Sequence, residues 1–216
     1  MKKMLVFLLV TFVAISCFAQ SRFDNEFYFR MGYSSPSWQQ FGGEESDWNG
    51  ASKFGVVGEI GTIFMFKKIP LPENMAVGLD VDYLTFCYNQ FSDNSNDLDL
   101  GTLRFDSKIG PSFTFSPVKD LAFDAYVKAD IAWVTATALV YDGNTDDADA
   151  YANIGTFGVS TGVNFRYKIL MLGIEYNTIS PVLENVDDDG DFLGSINSSS
   201  DKSPLPCLNF TIGLSF

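Results

Sequence analysis

The 216-residue chain contains no histidine, and that single absence excludes Ser-His-Asp and Cys-His catalysis, histidine general bases and histidine-bearing zinc sites. Basic residues are scarce too, 14 Lys and Arg against 27 Asp and Glu, so the electrostatic footprint of a nucleic-acid binder is missing. Three cysteines are too few for a scaffold built on disulfides. After the N-terminal segment there is no run of about 18 apolar residues, which rules out a helical membrane span. What the chain has in quantity is aromatic surface, 21 Phe among 46% apolar residues, enough for one domain with a large buried or lipid-facing area.

Residues 1–19 have the layout of a secretory signal peptide: Lys2 and Lys3, an apolar core from Met4 to Ile15, and small residues at Cys17 and Ala19. The expected cut follows Ala19, leaving one domain over 20–216. A membrane anchor is disfavoured because the apolar core is far shorter than the ~20 residues that span a bilayer. Lipid attachment at Cys17 is disfavoured by the lack of a Leu three residues upstream. Loss of Lys2 and Lys3 takes the formal charge from -13 to -15, so the exported protein is strongly acidic.

Along the rest of the chain helical periodicity is absent and period-two alternation recurs, in segments 26–35, 52–66, 75–88, 100–115, 121–141, 152–167, 170–179 and 205–216. One face is apolar, as in Phe27, Phe29, Met31, Tyr33 or Val159, Val163, Phe165. The other face holds thirteen charged residues: Arg30, Lys53, Glu59, Asp80, Asp82, Arg104, Asp106, Lys108, Asp124, Lys128, Asp130, Arg166 and Glu175. Glycines accompany them, among them Gly61, Gly78, Gly110, Gly162 and Gly173, and small residues beside charged ones suit the narrow interior of a small barrel. Connections alternate between long (36–51, 89–99, 142–151, 180–204) and short (67–74, 116–120, 168–169), the rhythm of an up-and-down barrel with both ends on one side. The Lys168-Ile169 connection lacks the Gly or Asn of a tight hairpin. A soluble barrel or sandwich with the apolar face inside is the competing fold. The glycine-rich charged face and the aromatics near strand ends (Tyr33, Phe66, Phe115, Tyr141, Tyr167, Phe216) favour a transmembrane barrel.

The C-terminal run, with Leu208, Phe210, Ile212, Leu214 and Phe216 alternating with small or polar residues and ending on an aromatic, resembles the assembly signal of bacterial outer-membrane β-barrels. With the signal peptide and the eight segments, the whole of 20–216 resembles the small eight-stranded outer-membrane barrels of the OmpA/OmpX-like type, an all-β antiparallel fold. The resemblance implies outer-membrane lipids and the barrel-assembly machinery as partners, no cofactor, and a structural or surface-interaction role with an unknown surface ligand. Enzymes of similar architecture, lipid A acyltransferases and deacylases, phospholipases and omptin-like proteases, use a catalytic histidine that this chain lacks. Asp80 and Asp82 could form a carboxylate-only site, but balance of charge in a packed lumen is the simpler reading. A narrow channel or small-ligand binder is the main alternative; a lipid-modifying enzyme is a weaker one.

Three finer expectations follow. Centring the turn after the fourth segment on Pro117 sets Arg104 opposite Asp130 and Asp106 opposite Lys128, pairs that would pin the register and close the lumen to ions. Strand parity points Cys87 at lipid and Cys207 inward on segments that are not neighbours, so two free thiols are expected. The long connections hold sixteen acids and one base, and Asp142, Asn144, Asp146 and Asp187, Asp189, Asp191 place oxygen ligands at alternate positions, as weak Ca2+ or Mg2+ loops would. Solvated acidic loops are the blander reading of the same residues.

Overall fold

A computed structural model describes residues 23–36, 51–93, 98–138, 150–153, 156–179, 184–185 and 205–216. Ten strand segments make one antiparallel sheet: β1 (Glu26–Pro36), β2 (Ala51–Met65), β3 (Met75–Asp93), β4 (Leu98–Val118), β5 (Leu121–Ala138), β6 (Ala150–Asn153), β7 (Thr156–Tyr167), β8 (Leu170–Ile179), β9 (Glu184–Asn185) and β10 (Leu205–Ser215). β6 and β7 pair with β5 in one continuous register, and β9 extends the line of β8 alongside β6. The result is eight barrel strands, each beside its neighbour in sequence, with β10 closing on β1.

Closure pairs each barrel strand with a neighbour on both sides among the described residues, which is the condition for a sheet to sit in hydrocarbon. Following the pairing from Glu26 through Ile63, Asp80, Gly110, Lys128, Ser160, Asn177 and Cys207 returns to β1 at Pro36, a stagger of ten residues. Eight strands so staggered tilt by about 40° and enclose a bore that side chains can fill.

The two faces settle which side is inside. Phe29, Val127, Val159, Val163, Leu172 and Ile212 are exposed, whereas twelve of the thirteen expected charged residues are buried; the side chain of Lys53 lies outside the described residues. The soluble alternative, with its apolar face inward, is thereby excluded. Outward hydroxyls are bonded locally, as lipid requires of any polar group: Thr161 donates to the Tyr126 carbonyl at 3.3 Å and Thr178 to that of Val159 at 3.0 Å. Tyr33, Phe66 and Tyr167 are exposed near the strand ends; Phe115 and Phe216 are half-buried, and Tyr141 is not among the described residues.

Three departures from the expected pattern have local causes. β3 carries a bulge between Asp82 and Thr85, so that Tyr83 and Leu84 both face outward and every later residue reverses parity. Ser107 on β4 donates to the Tyr83 carbonyl at 2.6 Å and holds the bulge. Cys87 consequently points into the lumen, not at lipid. The β4–β5 turn is centred on Lys119-Asp120, because Pro117, which has no N–H to donate, falls in a register shift between Phe115 and Val118. Most of the expected 89–99 connection is paired strand, with Asn89 opposite Thr102 and Asp93 opposite Leu98; its Asn, Asp and Ser content reads as loop but continues the hairpin.

At the turn end, Lys168 has φ 55°, the conformation that the first central residue of a type II′ hairpin turn requires. A non-glycine residue held there costs about 1–2 kcal/mol. Lys168→Gly is expected to raise the urea midpoint of the folded barrel, by up to about 1 kcal/mol of stability; a lowered midpoint would contradict this account of the turn.

Candidate functional site: the charged lumen

Each inward position alternates with a lipid-facing one, so the lumen collects residues from all eight strands, in three layers. At the turn end an apolar floor of Ile63, Met65, Ala76 and Met171 packs under Tyr28, with Phe23 against it. Just above the floor, Arg166 grips Asp124 through two parallel bonds, Nε to Oδ2 at 2.6 Å and Nη2 to Oδ1 at 2.8 Å, and also pairs with Glu26. Bidentate Arg–carboxylate contacts are the strongest ion pairs available to side chains. Thr114 adds a hydroxyl to Asp124 at 2.6 Å.

The middle layer crosses the bore. Lys108 lies between Glu59 (3.0 Å) and Glu175. Arg30 bonds the same two carboxylates, donates from Nη1 to Asn164 at 2.6 Å, and has Tyr126 within 3.3 Å. Lys128 bridges Asp80 (3.1 Å) and Asp82 (2.7 Å), and its ammonium sits 4.1 Å from the centre of the Tyr126 ring, a cation–π distance. The single proton of the Tyr28 hydroxyl faces the same two aspartates, and Tyr126 donates to Glu175 at 2.9 Å. Glu59, Asp82 and Glu175 converge closely enough to hold a metal ion, but the charge between them is supplied by Lys108 and Arg30. Asp80 and Asp82, considered above as an acid/base pair, are completely buried and engaged by Lys128 and Tyr28.

Two glycines make room for the tyrosines. A Cβ at Gly61 would stand 2.5 Å from the Tyr28 ring, and one at Gly162 2.5 Å from the Tyr126 hydroxyl. Gly162→Ala should therefore destabilise by about 1–3 kcal/mol, as overpacking does. Gly58→Ala, where nothing lies within 4 Å, serves as the neutral control in the same unfolding titration.

The third layer, towards the long connections, is looser. Arg104 donates to Asn177 (3.1 Å) and lies 3.4 Å from Asp106 of its own strand; Ser160 donates to Asp130 at 2.7 Å, and Asn177 also bonds that carboxylate. Several polar atoms here, including both Asp106 carboxylate oxygens and Arg104 Nη2, make no hydrogen bond to another protein atom among the described residues. The expected cross-strand pairs do not form: Arg104 stands opposite Thr135, Asp106 opposite Ala132, and Asp130 opposite Lys108. The displaced turn centre is the reason. Lys128 and Lys108 instead reach across the bore, where several carboxylates converge.

Of the assembly-signal residues, Leu208, Phe210 and Ile212 face outward on β10, with Leu214 and Phe216 half-buried beside the start of β1. The candidate cation ligands Asp142, Asn144, Asp146, Asp187, Asp189 and Asp191, and the signal segment 1–19, lie outside the described residues. Sequence reasoning missed Glu26, Tyr28 and Tyr126. Glu26 and Tyr28 share the parity of Arg30, so alternation alone could have found them; Tyr126 likewise shares that of Lys128.

No family model and no curated protein sequence matches the chain. Among solved structures it is similar to Ail, the attachment invasion locus protein of Yersinia pestis, with TM-score 0.47 and 12% identity over 89% of this chain and 99% of that one. The same protein in complex with the heparin analogue sucrose octasulfate gives TM-score 0.42 and 11% identity over 89% and 99%. Neisserial surface protein A gives TM-score 0.37 and 11% identity over 88% and 95%. The fold assignment rests on the closed sheet and on the polarity of its two faces.

Proposed function

We propose that the protein is an outer-membrane barrel with a structural or surface-interaction role, its lumen sealed and its acidic connections turned outward to meet a surface ligand. The observation that carries this reading is the inverted polarity: ion pairs buried in the bore, aromatic and aliphatic residues exposed around it. A channel needs a continuous wet path. Here Arg30, Lys108, Lys128, Tyr28 and Tyr126 are buried at one level of the bore, which supports a lumen closed to general porin conduction. An enzyme needs a reactive group open to substrate, and the lumenal carboxylates of that level are all engaged by cations or tyrosines.

The test has two arms. The protein should fractionate with outer membranes and change gel mobility on boiling, and the purified barrel in planar bilayers should show no steady, large conductance. Recovery as a soluble periplasmic protein would overturn the reading, and a sustained open conductance would return the channel alternative. Proximity labelling from the long connections on living cells would then identify what they touch.

A further inference from the structure

We infer that Cys87 and Cys207 form a disulfide across the lumen of the exported protein. The two residues belong to β3 and β10, which the sheet separates by β2 and β1, so no ladder brings them together. They meet through the bore: both are buried free thiols in the structure, as the strand order led one to expect, their side chains interact with one another, and the Cys87 thiol donates to the Ser34 hydroxyl at 3.4 Å. Asn89 Nδ2 donates to the same sulfur at 3.3 Å.

Two features of the fold create this contact. The Tyr83-Leu84 bulge reverses the parity of β3 and turns Cys87 inward, and the ten-residue stagger carries Cys207, opposite Pro36 on β1, to the same level of the bore. Without the bulge, Cys87 would point at lipid.

An exported chain passes through a compartment in which disulfides form and persist. The oxidant required is a disulfide-bearing thiol oxidant, protein or small molecule. One cysteine, as its thiolate, attacks a sulfur of the donor's S–S bond, giving a mixed disulfide and releasing one donor thiol. The second cysteine then displaces the other donor sulfur. The Cys87–Cys207 bond forms, the donor leaves as two thiols, and the two electrons and two protons lost by the cysteines end on it. The bond ties β3 to β10 near the long connections and braces the β1–β10 closing seam from inside.

The experiment takes the protein from isolated membranes, denatures it in N-ethylmaleimide with or without prior reduction, and measures intact mass. The expected result is a gain of two maleimide groups that depends on reduction, with the unreduced denatured chain running ahead of the reduced one on a gel because the segment between the cysteines is closed into a loop. Cys207→Ser should abolish both the paired gain and the mobility difference. The bonded barrel should also stay folded in detergent to a higher temperature than the reduced one. A parallel sample, refolded in detergent with oxidised glutathione, does not depend on where the cell sends the chain. Free thiols in membranes with a bond in the refolded barrel would place the fault in the export reading and support the pairing. Free thiols in both samples, or a bond only between two chains, would overturn it.

Discussion

Replacing Arg30 by Met should cost the barrel about 3–5 kcal/mol, the loss expected when one partner of a buried ionic cluster is removed and its counter-charges stay behind. Arg30 is completely buried and is the largest side chain so enclosed among the described residues. It contacts Glu59 and Glu175 together, donates to Asn164 at 2.6 Å, and lies over the Tyr28 and Tyr126 rings at 5.3 and 5.8 Å. Lys108 would remain between the two glutamates, but one ammonium cannot replace the planar fork that reaches both carboxylates and the Asn164 amide at once. For the same reason Arg30→Lys should recover only part of the loss. The double variant Arg30→Met with Glu59→Gln should be more stable than the single Arg30→Met, because the orphaned charge has been removed with its partner. Urea unfolding from lipid vesicles measures all three. A single-variant loss below about 1 kcal/mol would mean that the cluster is solvated and that the bore is open at this level.

How much of this was legible in the sequence follows from what each feature depends on. Alternation reports the local pleat, so the eight segments, the uncharged face and nearly all lumenal charges could be read from it; a single polar–apolar period is enough to place Glu59, Asp124 or Glu175 inside. Registry is a non-local property, and there the reading failed. Pro117 looks like the centre of a turn, yet the chain runs two residues further before reversing, which moves Asp130 from Arg104 to Lys108. The bulge at Tyr83-Leu84 is equally hidden, since two adjacent outward residues look like ordinary hydrophobic sequence until the pairing on both sides is known. Cys87 was misplaced by that one residue. Contacts through the bore, such as Lys128 to Asp80 and Cys87 to Cys207, depend on the stagger of the closed sheet and have no signature in the spacing along the chain.

The second large effect separates a membrane barrel from any soluble protein of the same shape. Val163 lies on β7 opposite Ala125 and Ile174, five residues above the Lys168-Ile169 turn, and its side chain is 53% exposed among outward Phe123, Phe165 and Leu172. Five residues of strand tilted by about 40° rise roughly 12 Å, half the height of the ~25 Å apolar band of an outer-membrane barrel, so the position is close to the bilayer midplane. Val163→Arg should cost about 2–4 kcal/mol in vesicles. Val159→Arg, four residues nearer the long connections, should cost less, because a guanidinium there can snorkel to the interface. The adjacent lumenal positions fail for a different reason: Arg at Asn164 or Ser160 would collide with Arg30 or with Asn177 and Asp130, so its cost should not follow depth. On a water-soluble barrel an arginine at a half-exposed surface valine is close to neutral. Depth-dependent destabilisation at Val163 and Val159 therefore reports hydrocarbon around the barrel, and equal, near-zero costs at both would remove the membrane from the account.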